Sequence, residues 1–324
     1  MSRALVVEAL SEDLSTLRLK DVVVPAPKPG EVKIRLRAAS VNFPDILMVQ
    51  GKYQLKPELP FSPGMEGSGD IVAVGAGVSR AKVGDRVVVG ARFGCYAEEI
   101  VMPEQTVRAL PARMDYAHGA AYPAAYLTAY VALVRRGELQ AGETLLVHGA
   151  AGGVGLAAVD VGKILGARVI ATASSEEKRA FLKSYGADHV LAPSGFRDEV
   201  KALTSGKGAD VVYDPVGGDV FDESVRCIGF NGRLLVIGFT SGRIPSVSVN
   251  MPLIKGFSVV GVRAGEYGRQ FPEKGAENIR TIDTWAADGN IRPHVCATFP
   301  LERAHEAMRM LQERRVIGKA VLTM

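Results

Sequence analysis

The segment that most constrains this 324-residue chain is Leu145-Leu146-Val147-His148-Gly149-Ala150-Ala151-Gly152-Gly153-Val154-Gly155-Leu156-Ala157-Ala158. An apolar run, a glycine cluster and an apolar stretch of helix length read as strand, tight turn and helix. The glycines follow Gly-x-x-Gly-x-x-Gly spacing rather than strict GxGxxG. Such a turn admits an anion, a diphosphate for example, to backbone N–H groups at a helix N-terminus, where unpaired donors and the helix dipole favour negative charge. A Cβ there would hold the anion off. Gly149, Ala150, Gly152, Gly153, Val154 and Gly155 are therefore candidate cofactor contacts, and the alternative is a packing turn with no ligand.

Around this turn, short β-branched runs alternate with helix-length amphipathic stretches. The pattern predicts strands at Thr144–His148, Arg168–Thr172, His189–Leu191, Asp210–Asp214, Arg233–Gly238 and Phe257–Val262. Helices are expected at Gly153–Leu165, Glu176–Tyr185, Phe196–Thr204 and Val220–Phe230. Six strands joined mostly by helical crossovers make an α/β fold, a doubly wound six-stranded parallel sheet of the Rossmann type. Residues 1 to about 120 differ: prolines and turn residues separate short apolar runs, as in a β-rich domain. Past Phe271, helices around Ile279–Ala287 and Leu301–Gln312 and a strand Ala320–Thr323 are expected to return to it. The expected division is a discontinuous β-rich domain, 1–121 with 272–324, and a nucleotide-binding domain, 122–271.

Composition excludes several function classes. Hydrophobic residues at 47% and charged residues at 23% describe an ordinary globular chain, and the net charge of +4 is scattered with no basic stripe for nucleic acid. No apolar run is long enough to span a membrane, and the alternating N-terminus lacks the apolar core of a signal peptide. Three cysteines without CxxC spacing offer neither a disulfide framework nor a zinc knuckle, which suggests a reducing, cytoplasmic setting. The five histidines have no metal-ligand spacing.

If the bound nucleotide carried a free ribose 2′-hydroxyl, the second strand should end in Asp or Glu about 20 residues past the glycines. Instead the chain reads Thr172-Ala173-Ser174-Ser175-Glu176-Glu177-Lys178. Serine hydroxyls and an ammonium suit a phosphate dianion, so Ser174, Ser175 and Lys178 point to NADPH over NADH; alternatively a serine only caps the following helix.

Taken together, Val41-Asn42-Phe43-Pro44-Asp45, Gly51-Lys52-Tyr53, Pro63-Gly64-Met65-Glu66-Gly67-Ser68-Gly69, Val83-Gly84-Asp85-Arg86-Val87, the glycine turn and Asp214-Pro215-Val216-Gly217-Gly218 carry a family likeness across essentially the whole chain. In that order they resemble the medium-chain dehydrogenase/reductase superfamily, specifically its zinc-free NADPH:quinone oxidoreductase branch, the zeta-crystallin-like proteins. The resemblance implies a GroES-like fold for the β-rich domain and a homodimer. Zinc-dependent members place a cysteine where Asn42 stands and a histidine where Met65 stands, so no catalytic metal is expected. Without a Lewis acid, hydride must go to an acceptor that is already electrophilic, a quinone or an activated alkene.

By the same resemblance, Asn42 lies beside the nicotinamide or the acceptor, where its amide could donate to a developing oxyanion, and Tyr53 lines the substrate cleft as a hydrogen-bond or proton-relay group. Each could instead be structural, Asn42 as a turn residue and Tyr53 as packing. The resemblance also implies that Thr128 contacts the nicotinamide ribose or a nearby phosphate. Gly217, Gly238 and Phe239 fall at carboxyl ends of expected strands, where doubly wound sheets expose their ligand crevice. The basic stretch Arg314, Arg315, Lys319 is either near the adenosine 2′-phosphate, with Arg314 as the candidate, or a solvated turn. A tyrosine that several NADPH-specific relatives carry after the third strand is replaced here by Leu191-Ala192-Pro193-Ser194. Reduction of enoyl or acryloyl thioesters is the alternative activity, and a non-catalytic nucleotide- or RNA-binding role ranks last. The segments Val247–Val249 and Ser258–Val262 are expected to form an uncharged sheet edge that pairs across a two-fold axis.

Overall fold

A computed structural model describes residues 1–324. The chain divides into two compact units, Met1–Ala124 with Arg292–Met324, and Ala125–Ile291.

The first unit opens with an antiparallel ribbon of β1 (Ser2–Val7) and β2 (Leu17–Val22). Next come β3 (Glu31–Ser40), α1 (Phe43–Val49), β4 (Glu66–Val74), β5 (Arg86–Gly90), β6 (Glu99–Pro103), β7 (Val107–Ala109) and α2 (Tyr116–Ala121). After the second unit the chain adds β14 (Val295–Pro300), α11 (Ala304–Gln312) and β15 (Lys319–Thr323). The mixed sheet runs β14-β15-β3-β4-β5-β7, with β6 also on β3. Val32, Ile34 and Leu36 alternate inward along β3, while Ala304, Ala307 and Met308 turn one face of α11 onto the same core.

Register on β3 decides what meets at its far end. β15 runs antiparallel to it with Thr323 opposite Ala38 and Val321 opposite Ser40, and the Val41 N–H donates to Ala320 O at 3.0 Å. One step further, Lys319 faces Asn42. On the other side Gly67 of β4 pairs with Ala39, which brings Glu66 to the same place. Three chain segments distant in sequence therefore converge where β3 gives way to α1.

The second unit contains α3 from Ala125 onward (helix Pro123–Tyr130, continuing as a π-helical turn Val131–Arg136), β8 (Thr144–Val147), α4 (Gly153–Ile164), β9 (Arg168–Thr172), α5 (Glu176–Tyr185), β10 (His189–Leu191), α6 (Phe196–Leu203), β11 (Ala209–Asp214), α7 (Gly218–Cys227), β12 (Ile228–Val236), α8 (Asn250–Lys255), β13 (Ser258–Gly261), α9 (Ala264–Gln270) and α10 (Pro272–Asp288). Its six strands are all parallel, in the order β10-β9-β8-β11-β12-β13. This is the doubly wound arrangement, with its reversal between β8 and β11. Leu145–Val147, Val169–Ala171 and Val211–Tyr213 are fully buried, which explains continuous apolar runs where a one-sided sheet would alternate.

Three expected elements differ. The helix placed over Val220–Phe230 stops at Cys227, because Ile228 pairs with Ala209 and the chain then bends at Gly229-Phe230-Asn231-Gly232, where Asn231 has φ +61°. Val247–Val249 forms no strand; it leads into α8, and the sheet edge is β13 alone. The helix expected near Ile279–Ala287 is the end of the 17-residue α10, whose start at Pro272 uses the preset φ of proline.

Candidate active site

In the first unit, Asn42 is the N-cap of α1 and forms a capping box with Asp45, the N3 residue. Its side chain also meets two buried charges: Lys319 Nζ donates to Asn42 Oδ1 at 2.7 Å, and Asn42 Nδ2 donates to Glu66 Oε1 at 2.9 Å. Lys319 Nζ also reaches Glu66 Oε1 at 3.0 Å, with the two side chains 6% and 1% exposed. The remaining carboxylate oxygen of Glu66 accepts the Ala124 N–H at 2.7 Å. Lys319 is thus neither a phosphate contact nor part of a solvated basic turn, the two alternatives that sequence leaves open. Losing either member of this pair alone would strand a buried charge, at a cost of about 3–5 kcal/mol.

A second buried carboxylate fixes the backbone here. Asp45 Oδ2 accepts the Asn42 N–H and the Tyr96 hydroxyl, each at 2.9 Å, and its Oδ1 accepts Gly64 N–H at 3.3 Å. Burial pushes the Asp45 carboxyl up to about 7, against the opposing pull of these donors. Tyr53 lies on the turn beyond α1, half-buried against the core of this unit, and Met65 is half-buried just before Glu66. Arg314 sits exposed in the turn after α11 with φ +56°.

In the second unit, the glycine turn has the expected form. Gly149 follows β8 with φ +55°, and Gly152 caps α4 in extended conformation. A Cβ at Gly155 would stand 2.4 Å from Gly149 O and 2.7 Å from Ala150 Cα, so the helix can close on the turn only with glycine there. Ala150 is buried, its N–H bound to Thr172 O at 3.0 Å, while Gly152, Gly153 and Val154 are half-exposed at the helix start.

The neighbouring loops gather at the same end of the sheet. Asp214 Oδ1, at the end of β11, accepts the N–H groups of Val216 and Gly217 at 2.8 and 2.9 Å. Phe239 lies over Gly217, whose added Cβ would meet Phe239 Cδ1 at 3.0 Å, and Gly238 lies beside Pro215 O. Ser175 is the N-cap of α5, accepting from Lys178 N–H at 3.3 Å; Ser174 is exposed and Lys178 half-buried. Arg179 closes the turn through Ala173 O, Ser174 O and Glu176. Thr128 is half-buried on α3. Behind the glycine turn, His148 bridges Thr172 Oγ1 (3.0 Å) and Ser224 Oγ (2.8 Å). The Ser224 hydroxyl donates to Val220 O, so His148 carries its proton on Nε2; burial drives its pKa down to about 3 and keeps it neutral.

Sequence reasoning missed Asp45, Glu66 and Tyr96. The usable signal was the pair of carboxylates inside Asn-x-x-Asp and Pro-Gly-Met-Glu-Gly, each too apolar in context to be a surface charge.

Nowhere in the structure do three or more His, Cys, Asp or Glu side chains cluster as a metal site. Around Asn42 stand its own amide, the Glu66 carboxylate already paired with the Lys319 ammonium, and the thioether of Met65 next to Glu66 in sequence; no thiolate or imidazole is among them, and the ammonium would repel a dication. These residues do not fit a catalytic zinc ion. The glycine turn, by contrast, fits a dinucleotide: open at the helix start, and too tight at Gly155 for any side chain.

Residues 28–112 match the alcohol dehydrogenase GroES-like domain and residues 153–280 match a zinc-binding dehydrogenase domain. The chain is 38% identical over 306 residues to quinone oxidoreductase-like protein 2 of Mus musculus, covering 93% of this chain and 87% of that protein. The structure of Escherichia coli quinone oxidoreductase complexed with NADPH superposes with a TM-score of 0.90 at 29% identity, covering 99% of this chain and 100% of that one. The apo JamJ enoyl reductase superposes with a TM-score of 0.88 at 28% identity over 100% of both chains.

Proposed function

Because this chain belongs to the oxidoreductases of the medium-chain dehydrogenase/reductase superfamily, among their quinone oxidoreductase-like members, we propose that it reduces a quinone with NADPH and without a catalytic zinc ion. The observation that carries this reading is the ammonium of Lys319 2.7 Å from Asn42 Oδ1, where zinc-dependent relatives need metal ligands. An acceptor in such a site must be electrophilic before it binds.

NADPH, when bound, supplies the hydride. The chain's part is to hold and orient: Gly153, Val154 and Gly155 offer first-turn N–H groups and the α4 dipole to the diphosphate, while Gly149, Ala150 and Gly152 shape the turn it approaches, the Ala150 and Gly152 N–H groups being bound to Thr172 O and Gly149 O. Ser174, Ser175 and Lys178 receive the 2′-phosphate, with Arg314 as a further cation. Thr128, Gly217, Gly238 and Phe239 contact the rest of the cofactor. Asn42 and Tyr53 meet the acceptor oxygen, Asn42 by its amide and Tyr53 by its hydroxyl.

Likeness to an enoyl reductase favours a second reading, reduction of α,β-unsaturated carbonyls or enoyl thioesters by the same residues. We further propose a homodimer joined at the β13 edge, beside which Phe230, Val249, Leu253 and Ile254 expose apolar surface. Light scattering at micromolar concentration should return the dimer mass. No helix is long and apolar enough to cross a membrane, and the free cysteines Cys95, Cys227 and Cys296 suit a reducing cytoplasm. The deciding assay follows NADPH consumption, with NADH as control, against 1,4-benzoquinone, an ortho-naphthoquinone and crotonyl-coenzyme A. Turnover with quinones supports the proposal, turnover with the thioester alone replaces it by the second reading, and NADPH binding without turnover refutes both.

A further inference from the structure

We infer that the buried Glu66–Lys319 pair is a positioning device that locks the Asn42 amide in one orientation, an inference that rests on Asn42 meeting the acceptor. An asparagine amide is nearly symmetric in shape and turns over at little cost unless its partners distinguish oxygen from nitrogen. Here they do. The Lys319 ammonium can only donate and the Glu66 carboxylate accepts, so Oδ1 must face Lys319 and Nδ2 must face Glu66. Turning the amide over would set donor against donor and oxygen against oxygen.

Asn42 also sits in a capping box with Asp45, which places its side chain at the start of α1, where the two charges meet it. Its backbone is pinned separately, by Asp45 Oδ2 on its N–H. The side chain and the main chain are thus held by different charges, from β4, β15 and α1. Of the two amide hydrogens, one goes to Glu66 at 2.9 Å; the other has only Ser40 O at 3.4 Å, a long contact that leaves it the donor to give to an incoming oxygen.

The pair is a costly way to fill this space. Apolar side chains of similar volume stabilise a buried site as well as or better than an ion pair, but they carry no direction. Direction is what this site has and what a packing role would not require.

The test compares wild type, Asn42→Ala, the neutral pair Glu66→Gln with Lys319→Met, and the triple variant. The neutral pair removes both charges while keeping the volume, so the chain folds where either single replacement could fail. A glutamine amide in place of the Glu66 carboxylate can donate or accept, so it no longer distinguishes the two orientations of Asn42. In the quinone assay the neutral pair should lose about tenfold in kcat, with KM for NADPH within about twofold of wild type. In the Asn42→Ala background the same pair of replacements should cost nothing further. A wild-type kcat in the neutral pair, or an equal loss in both backgrounds, overturns the inference while leaving quinone reduction standing. A second measurement is independent of turnover: the side-chain ¹⁵N amide signals of Asn42, assigned by their loss in Asn42→Ala. They should be one slowly exchanging pair in wild type and broadened or fast-exchanging in the neutral pair. Identical signals in both overturn the inference even if no quinone is reduced, and that result is distinct from failure of the proposed activity.

Discussion

Two alanine substitutions in the glycine turn should separate its folding role from its binding role. At Gly155 an added Cβ would lie 2.4 Å from Gly149 O, where ordinary contact begins near 3.4 Å. Helix α4 and the turn must therefore part by roughly 1 Å, and overpacking of this kind costs about 1–3 kcal/mol. Alanine returns about 0.5–1 kcal/mol of helix preference over glycine. The net loss of about 1–2 kcal/mol should lower Tm by about 2–8 °C for a unit of this size. Gly152 is the contrast. Its φ is −81°, which alanine adopts freely, and the nearest atom to its added Cβ is Gly149 O at 3.4 Å. Gly152→Ala should keep the wild-type Tm, yet place a methyl group in the open space where a diphosphate approaches the helix. Losing charge-assisted hydrogen bonds worth about 1.5–3 kcal/mol would raise the Kd for NADPH about 10- to 100-fold. Calorimetry for Tm and fluorescence titration for Kd read the two effects apart. Wild-type NADPH affinity in Gly152→Ala, or a wild-type Tm in Gly155→Ala, would refute the reasoning.

Other outcomes follow from single groups. Lys178→Ala should raise KM for NADPH about tenfold and leave NADH unchanged; equal kcat/KM for the two cofactors in wild type would remove the 2′-phosphate assignment. Tyr53→Phe should lower kcat with quinones, and an unchanged kcat would end its proton-relay role. The Asp160 carboxylate, which accepts from Tyr126 and, at 2.9 Å, from Tyr185, is pushed up by burial from 3.8 to about 6. Its proton is bound more tightly in the folded chain, so its contribution is present below pH 4 and is lost as pH rises through about 6, by up to about 3 kcal/mol. Asp160→Asn cannot ionise, so its Tm relative to wild type should rise between pH 4.5 and 7; a constant difference would show that Asp160 does not titrate in this range.

The glycine turn and most of the parallel strands are legible from sequence because each is specified locally. A strand buried on both faces needs a continuous apolar run, and a turn closed against its own helix needs Gly155. Boundaries were less legible where a long-range pairing intervened. Ile228 leaves the helical pattern of α7 because Ala209, 19 positions earlier, takes it into the sheet. The short helix α1 was hidden by Pro44, which reads as a loop signal but also suits the first turn of a helix.

Sequence alone determined the alternation of strands and helices, and with it the six-stranded parallel sheet. Short crossovers of one hand leave few other ways to bury apolar runs on both faces. Only the tertiary structure decided what surrounds Asn42. Lys319 follows Arg314 and Arg315 in one basic stretch, yet those two are exposed and Lys319 is 5% exposed. The difference arises because β15 pairs with β3 in a register that sets Lys319 opposite Asn42, 277 positions away, while β4 delivers Glu66 from the other side. No local pattern encodes that meeting, since it depends on which strand ends share one end of a sheet and which charges must then be buried together.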